Sequence, residues 1–179
     1  PKEVLNNTLL DRLEKAENSE ETVYLVKPEE VNKPELTRPK QEGALTWHFK
    51  IENARDVAFA SSSAFIWDAA KINLPEGKSA LAQSAYPKES DGQDAWSRST
   101  EYSKASIEHY SNKWFPYPYP SAVNVAADIN GMEYPGLNFC SYKSKKGSLW
   151  GVTDHEFGHN WFPMIVGSNE RRYAWMDEG

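Results

Sequence analysis

The stretch that decides the fold is DHEFGHN, residues 154–160. It contains two of the four histidines of the chain, His155 and His159, and Glu156 directly follows the first of them. The surrounding sequence predicts a helix from Leu149 to Phe162. Because residues four positions apart lie on one face of a helix, the spacing predicts that the two imidazoles point towards the same place.

Two histidines one helical turn apart, with a glutamate after the first, form the pattern HExxH that is typical of zinc hydrolases. Glu156 is rotated by about 100° from His155 around the helix, so it is badly placed to bind the same ion and well placed to reach a water on it. Zinc lowers the pKa of bound water from about 15.7 to about 7, and a neighbouring carboxylate accepts the proton. The motif therefore predicts hydrolysis with Glu156 as general base.

A catalytic zinc site needs a third protein ligand and an open position. The stretch YAWMDEG supplies Glu178, with eighteen residues between it and His159. A carboxylate that returns on a second helix can approach the first helix from the side. The sequence thus predicts one zinc ion held by His155, His159 and Glu178, and it disfavours the alternative of two helical histidines with no metal.

The composition excludes several other classes of protein. With 39% hydrophobic and 13% aromatic residues, the 179-residue chain can build a core, and its net charge of −6 argues against a nucleic-acid partner. The one cysteine, Cys140, excludes an internal disulfide and a multi-cysteine zinc ribbon. No apolar run approaches the ~20 residues of a membrane span. The chain begins without methionine or a signal-peptide pattern, so we expect both ends to be cuts within a longer chain.

The first 43 residues are expected to differ from the rest. They predict a polar helix from Leu5 to Glu17, a strand in TVYLVKP (residues 22–28) and an exposed, proline-rich connection over residues 27–43. The composition changes at Ala44, so residues 1–43 are set apart from residues 44–179.

Residues 44–92 predict strands rather than helices. Strand-like runs are LTWHFKI (residues 45–51), DVAFASS (residues 56–62) and the following AFIWDAAKI (residues 64–72). The next stretch, residues 76–92, is predicted to be a loop with one edge strand.

The second half of the chain alternates helix, strand and helix. Six residues recur at steps of four and three on one face and predict a helix: Trp96, Thr100, Ser103, Ile107, Tyr110 and Trp114. SAVNVAADI (residues 121–129) predicts a strand. Ser148 is the candidate N-cap of the helix that carries the two histidines, and Pro163 is its predicted end. This order predicts an α+β fold.

Two motifs together resemble a known family, the gluzincin zinc aminopeptidases of the aminopeptidase N type. One is HEFGHNWF (residues 155–162) followed by the glutamate of WMDEG, and the other is GMEYPG (residues 131–136), which is similar to the exopeptidase motif GxMEN of that family. The resemblance extends from about Ala44 to Gly179. It implies that residues 44–179 are the first part of a catalytic domain and that residues 1–43 are an insertion or the end of a preceding β-domain. It implies the N-terminal part of a thermolysin-like (zincin) catalytic domain, in which a mixed sheet packs on the HExxH helix.

The resemblance also implies roles for particular residues. Glu133 would bind the free α-ammonium group of a peptide substrate, and the backbone of Gly131 and Met132 would lie along that substrate. An ion pair of this kind favours chains with a free amino end. Tyr134 departs from the family pattern, which has asparagine at this position.

Two alternative functions remain open at the level of sequence. Some relatives open an epoxide with the same metal ligands, and a non-catalytic binding module is the alternative outside the enzymes. In the family, an acidic residue shortly after the third ligand supports a histidine ligand. A tyrosine well downstream of the third ligand stabilises the oxyanion. Because the chain ends at Gly179, we expect this fragment itself to be a poor enzyme.

Other residues that can bind metals or anions are given structural or solvent roles. His48 and His109 have no partner at ligand spacing, and Cys140 is expected to be a small buried residue. Arg171 and Arg172 are interpreted as a solvated pair.

Overall fold

The computed structural model describes residues 2–179, and these residues form one mixed sheet with helices around it. The strands are β1 (Val23–Val26), β2 (Phe65–Asn73), β3 (Ser79–Pro87), β4 (Ser121–Ala127), β5 (Gly131–Tyr134) and β6 (Leu137–Ser141). The α-helices are α1 (Asn7–Glu17), α2 (Pro34–Thr37), α3 (Ser99–Lys113), α4 (Lys146–Gly158) and α5 (Trp175–Glu178).

The six strands lie in the order β1-β2-β3-β4-β6-β5. The pairs β1–β2, β2–β3 and β5–β6 are antiparallel, whereas β3–β4 and β4–β6 are parallel. α3 packs on β2, β3 and β4, and α4 packs on β5, β6 and α3. The predicted α+β class and the mixed sheet packed on the histidine-bearing helix are therefore confirmed.

The hairpin of β5 and β6 places the GMEYPG motif beside α4. Its two-residue turn is Pro135 and Gly136, and Gly136 has φ of +75°, which glycine adopts without the steric cost of a side chain. The Gly136 amide donates to Asn160 Oδ1 at 2.9 Å, and Asn160 lies two residues after Gly158, the last residue of α4. This buried hydrogen bond ties the turn of the hairpin to the end of the helix.

Several elements agree with the sequence predictions. α1 covers nearly all of the helix predicted from Leu5 to Glu17, β1 lies within TVYLVKP, and β4 lies within SAVNVAADI. The helix predicted between Trp96 and Trp114 is α3, preceded by one 3-10 turn at Trp96–Arg98. Each of these segments has a clear apolar periodicity bounded by proline, glycine or asparagine, so local sequence was sufficient.

Two predicted strands are wrong. Neither residues 45–51 nor residues 56–62 form a strand, and four of their large apolar side chains are exposed: Trp47, Phe49, Val57 and Phe59. Only the third run of this region forms a strand, β2. A β-branched or aromatic run becomes a strand only where a partner strand is available for pairing, which the sequence of the run does not reveal.

The prediction for residues 76–92 is also wrong. They contain β3, a nine-residue strand in the interior of the sheet, between β2 and β4. Its buried positions are mostly small, namely Ala80, Ala82 and Ser84, with Tyr86 as the exception. Small residues give little hydrophobic signal, although they let α3 approach the sheet closely.

The boundaries of the histidine-bearing helix differ from the prediction at both ends. α4 starts at Lys146, three residues before the predicted start at Leu149, and Ser148 lies inside it rather than at its N-cap. The α-helix ends at Gly158, and a π-helical turn follows over Asn160–Ile165. Phe162 leaves the helical region, with φ −135° and ψ 110°, because the residue before a proline is sterically disfavoured there.

The first 43 residues contribute to the same sheet as the rest of the chain. β1 pairs with β2, and Leu9 of α1 belongs to a core cluster that also contains Tyr86 and Trp96. The connection after β1 contains α2 and is mostly exposed, as predicted. The division of the chain at residue 44 stays a prediction.

Among residues 2–179, every helix is too short or too polar to span a membrane.

Asp68 of β2 is a buried carboxyl group under α3. It accepts hydrogen bonds from the Tyr86 hydroxyl at 2.7 Å and from the Thr100 hydroxyl at 2.5 Å. Burial raises the pKa of Asp68 to about 7, against the smaller effect of these two hydrogen bonds, which lower it. The native protein therefore holds a proton here at pH values where the unfolded chain has lost it.

Asp68 is one end of a chain of buried polar side chains that reaches α4. Thr100 Oγ1 lies 2.9 Å from Ser84 Oγ, which lies 2.8 Å from Ser99 Oγ. Asn124 Nδ2 then donates to Ser99 Oγ and to Thr153 Oγ1, both at 3.0 Å. The chain connects strands β2, β3 and β4 with the two helices that cover them.

We predict that Asp68→Asn removes part of the pH dependence of stability. Because the folded pKa is about 7 and the model-compound value is 3.8, the contribution of Asp68 is fully present below pH 3.8 and is lost as the pH rises through about 7. The stability of the native protein relative to the variant should fall by at most about 4 kcal/mol across this window. Urea unfolding at a series of pH values measures it.

The matched control for this experiment is Asp128→Asn, which changes an exposed carboxylate. Its unfolding free energy should follow that of the native protein at every pH. A pH profile of Asp68→Asn that is parallel to the native profile would contradict the prediction.

Candidate metal centre

His155 and His159 lie on one face of α4 and converge. His159 is the residue after the last α-helical position, and its φ of −59° and ψ of −20° continue the helical path. The i, i+4 relation is therefore kept, and the Nε2 atoms of the two rings lie 3.0 Å apart. His155 is half exposed, whereas His159 is almost fully buried.

Glu178 reaches the two imidazoles from α5. Its Oε2 lies 3.1 Å from His155 Nε2 and 3.8 Å from His159 Nε2. α5 follows the π-helical turn and an irregular segment, which returns the chain to the side of α4. Two segments separated by eighteen residues thus bring three donor atoms together, as the sequence predicted for the ligand set; their role as ligands stays a prediction.

The spacing of these donor atoms fits a zinc ion. In a tetrahedral site with bonds near 2.1 Å, two ligand atoms are separated by about 3.4 Å. The three observed separations of 3.0, 3.1 and 3.8 Å lie on both sides of this value. Two imidazoles and one carboxylate are also the donor set found in hydrolytic zinc sites of the HExxH type.

A backbone carbonyl sets the tautomer of His159. His159 Nδ1 lies 2.9 Å from the carbonyl oxygen of Phe162, and since that oxygen can only accept, Nδ1 carries the proton. In the neutral ring, His159 Nε2 then presents its lone pair towards His155 and Glu178. The Phe162 carbonyl is available because Phe162 leaves the helical conformation before Pro163.

Asp177 is a neighbour of the site that sequence reasoning did not single out. Its Oδ1 lies 3.2 Å from His159 Nδ1, at ion-pairing distance but outside hydrogen-bonding geometry. Donor atoms of Glu133, His159 and Asp177 form a second grouping within 4.8 Å of one another. The one sequence signal for Asp177 was its place directly before the predicted ligand Glu178.

Glu156 is buried beside the converging histidines. Its side chain packs against β5 so closely that a Cβ on Gly131 would lie 2.0 Å from Glu156 Oε1. Glu156 Oε2 is buried and has no hydrogen-bond partner among residues 2–179. Burial raises the pKa of Glu156 to about 7, and the charge of Glu133 adds to this effect while His159 opposes it.

The first four residues of the GMEYPG motif form β5, which packs against α4. Gly131, Met132, Glu133 and Tyr134 make up β5, the last strand of the sheet, and all four are half-buried. Within residues 2–179, one edge of β5 is not paired with another strand. The carboxylate of Glu133 is the part of this motif that approaches the histidines, through its place in the grouping with His159.

The remaining candidates lie apart from these groups. Among residues 2–179, His48 and His109 belong to neither grouping of possible ligands. Cys140 is buried in the core, and burial raises the pKa of its thiol to about 12, so it is a protonated core residue. Arg171 and Arg172 are exposed, as expected for a solvated pair.

Two solved structures share this fold. One is an M1 zinc metallopeptidase from Deinococcus radiodurans, with 17% sequence identity, 64% of this chain and 26% of that chain covered, and a TM-score of 0.53. The other is a two-domain M1 zinc metallopeptidase bound to L-arginine, with 16% identity, the same two coverages and a TM-score of 0.50.

The match to these two proteins concerns the fold, and it spans about a quarter of the length of each solved chain. No protein-family model matches the sequence, and neither does any curated protein. About two thirds of this chain therefore shares its fold with part of a zinc metallopeptidase.

Proposed function

We propose that this chain forms the zinc-binding part of a thermolysin-like catalytic domain, and that the function is the removal of N-terminal residues from peptides. One observation carries the proposal. His155, His159 and Glu178 converge within 4.8 Å, at separations that suit a tetrahedral ion. The fold shared with zinc metallopeptidases supports it.

Zinc in this position would polarise the scissile carbonyl and acidify a water molecule. The two histidines and Glu178 are the residues that would hold this ion. His159 does so as the Nδ1-protonated tautomer, since its Nδ1–H donates to the Phe162 carbonyl. A ring whose second nitrogen is already hydrogen-bonded is oriented before the ion arrives.

Glu156 is the general base of the proposed reaction. A base works best when its pKa lies near the pH of the reaction, and burial brings that of Glu156 to about 7. Its Oε2 has no protein partner in the described residues, so this oxygen is free to accept a proton from water. The same carboxyl group then donates that proton to the amine that leaves.

Glu133 is the proposed anchor for the free amino end of the substrate. Its carboxylate lies within 4.8 Å of both His159 and Asp177, close to where the ion would sit. An ammonium group paired with Glu133 places the first peptide bond of the substrate next to the ion. The backbone of Gly131 and Met132, on the unpaired edge of β5, would then run along the substrate.

We predict that the 179-residue chain binds one zinc ion and that His155→Ala weakens binding by more than about 100-fold. Loss of a direct ligand should exceed the ~10–100-fold effect typical of residues that only support a ligand. Competition with a chromophoric chelator measures the affinity. His109→Ala is the control, because His109 belongs to neither grouping of possible ligands in residues 2–179. Equal zinc affinity in the two variants would contradict the proposed metal site.

We predict that Gly131→Ala lowers peptide hydrolysis by the full-length protein towards the level of Glu156→Gln. The added methyl group would meet Glu156 Oε1 at 2.0 Å and displace the base, and loss of general-base catalysis costs about 10²–10⁴-fold in rate. Zinc content should be unchanged. Gly151→Ala, on α4 with open space around the new methyl, is the control and should keep its activity.

We predict that Glu133→Ala removes the preference for peptides with a free amino end. The full-length protein should cleave a free peptide well and its N-acetylated form poorly, since only the free form can pair with Glu133. In the variant the two rates should approach each other, mainly through loss of the faster one. Equal cleavage of both peptides by the unchanged protein would refute the anchor role while leaving zinc binding intact.

A further inference from the structure

The proposed site depends on the rotational position of one helix. His155, Glu156 and His159 all project from the C-terminal end of α4, and their partners lie on other elements. A rotation of about 20° would move an atom 6 Å from the helix axis by roughly 2 Å. Such a shift is as large as a metal–ligand bond, so α4 must be held against rotation.

Asp154 provides a contact of this kind, directly before the first histidine. Its Oδ1 accepts a hydrogen bond from Ser106 Oγ at 2.7 Å, and its Oδ2 accepts one from the Tyr110 hydroxyl at 2.9 Å. The two donors lie one turn apart on α3, so they hold both oxygens of the carboxylate along the direction of the neighbouring helix. Rotation of α4 in either direction would stretch these bonds.

The Tyr110 donor is itself fixed in place. Its ring stacks on Trp114 with centroids 4.7 Å apart and contacts Trp161 at 5.5 Å. Burial and the Asp154 carboxylate raise the pKa of Tyr110 to about 12, so the hydroxyl remains a donor throughout the neutral range. Within residues 2–179, no cationic side chain lies at ion-pairing distance from Asp154, and the two hydroxyl groups are its partners.

The other side of α4 is held by different residues. Thr153 Oγ1 accepts from Asn124 Nδ2 at 3.0 Å, and Glu156 packs on Gly131. These contacts tie α4 to the sheet, whereas Asp154 ties it to α3. A helix fixed on only one side can still roll on the sheet, and the contact with α3 opposes that motion.

We propose that Asp154 is a positioning residue, which sets the rotation of α4 through Ser106 and Tyr110 and thereby aligns His155 and His159 with Glu178. This inference rests on the proposed function, because it concerns the same metal centre. Asp154 itself binds neither the ion nor the substrate. It acts on the site only through the helix that it holds.

The test compares variants that remove only the hydroxyl donors. Ser106→Ala, Tyr110→Phe and the double variant remove one or both hydrogen bonds to Asp154, while Tyr110→Phe keeps the stacked ring. Zinc affinity of the 179-residue chain is measured by chelator competition, and the geometry of the site by the visible spectrum of the Co²⁺-loaded chain. We expect the double variant to bind zinc about 10–100-fold more weakly and to show an altered Co²⁺ spectrum.

Two controls separate positioning from a general loss of stability. Ser103→Ala removes a hydroxyl group on α3 that donates to the Ser99 carbonyl. Tyr117→Phe removes a hydroxyl group that donates to the Ser121 carbonyl, and its ring contacts Trp161, as that of Tyr110 does. Both should keep the native zinc affinity and Co²⁺ spectrum, at a thermal midpoint no higher than that of the double variant. Asp154→Asn, which keeps one acceptor oxygen, should fall between the native chain and Asp154→Ala.

The outcomes distinguish this inference from the function on which it rests. If the native chain binds zinc and the double variant has the same affinity and Co²⁺ spectrum, Asp154 has no positioning role and the metal site stands. Equal loss of affinity in the double variant and the controls overturns the inference in the same way. If the native chain binds no zinc, the proposed function fails and the inference fails with it.

Discussion

The contact between the Glu156 carboxylate and Gly131 is the constraint on which the rest of this structure depends. It leaves no room for a side chain on the first residue of β5, so this approach of the strand to the side chains of α4 requires glycine. This closeness buries Glu156 and brings its pKa towards neutrality. It also brings Glu133, two residues along β5, near the imidazole of His159.

The surroundings of α4 explain how so many polar groups are accommodated near a buried site. Buried polar groups are costly unless they are hydrogen-bonded, and here Asp154, Thr153 and Asn160 each bond to a different neighbouring element. These bonds join α4 to α3, to β4 and to the turn of the β5–β6 hairpin. The helix is thus fixed in position by polar contacts as well as by the packing of Phe157 and Trp161 in the core.

Sequence reasoning succeeded where the signal is local and failed where it depends on partners. The periodic patterns of α1, α3 and β4 were sufficient to predict those elements. The runs at residues 45–51 and 56–62 looked equally strand-like, but they have no partner strand and their aromatic side chains are exposed. The interior strand β3 was missed for the opposite reason, because its small residues are buried by neighbours that its own sequence does not show.

The sequence by itself determined the relation between His155 and His159, because two residues four apart on a helix share a face whatever surrounds that helix. The spacing between His159 and Glu178 and the motif around Glu133 were also visible in the sequence. Only the tertiary structure decided that Glu178 lies 3.1 Å from His155, that Glu156 is buried against Gly131 and that Asp154 is held by α3. These contacts join segments 23 to 48 positions apart, and their geometry follows from how the helices and the sheet pack rather than from any local pattern.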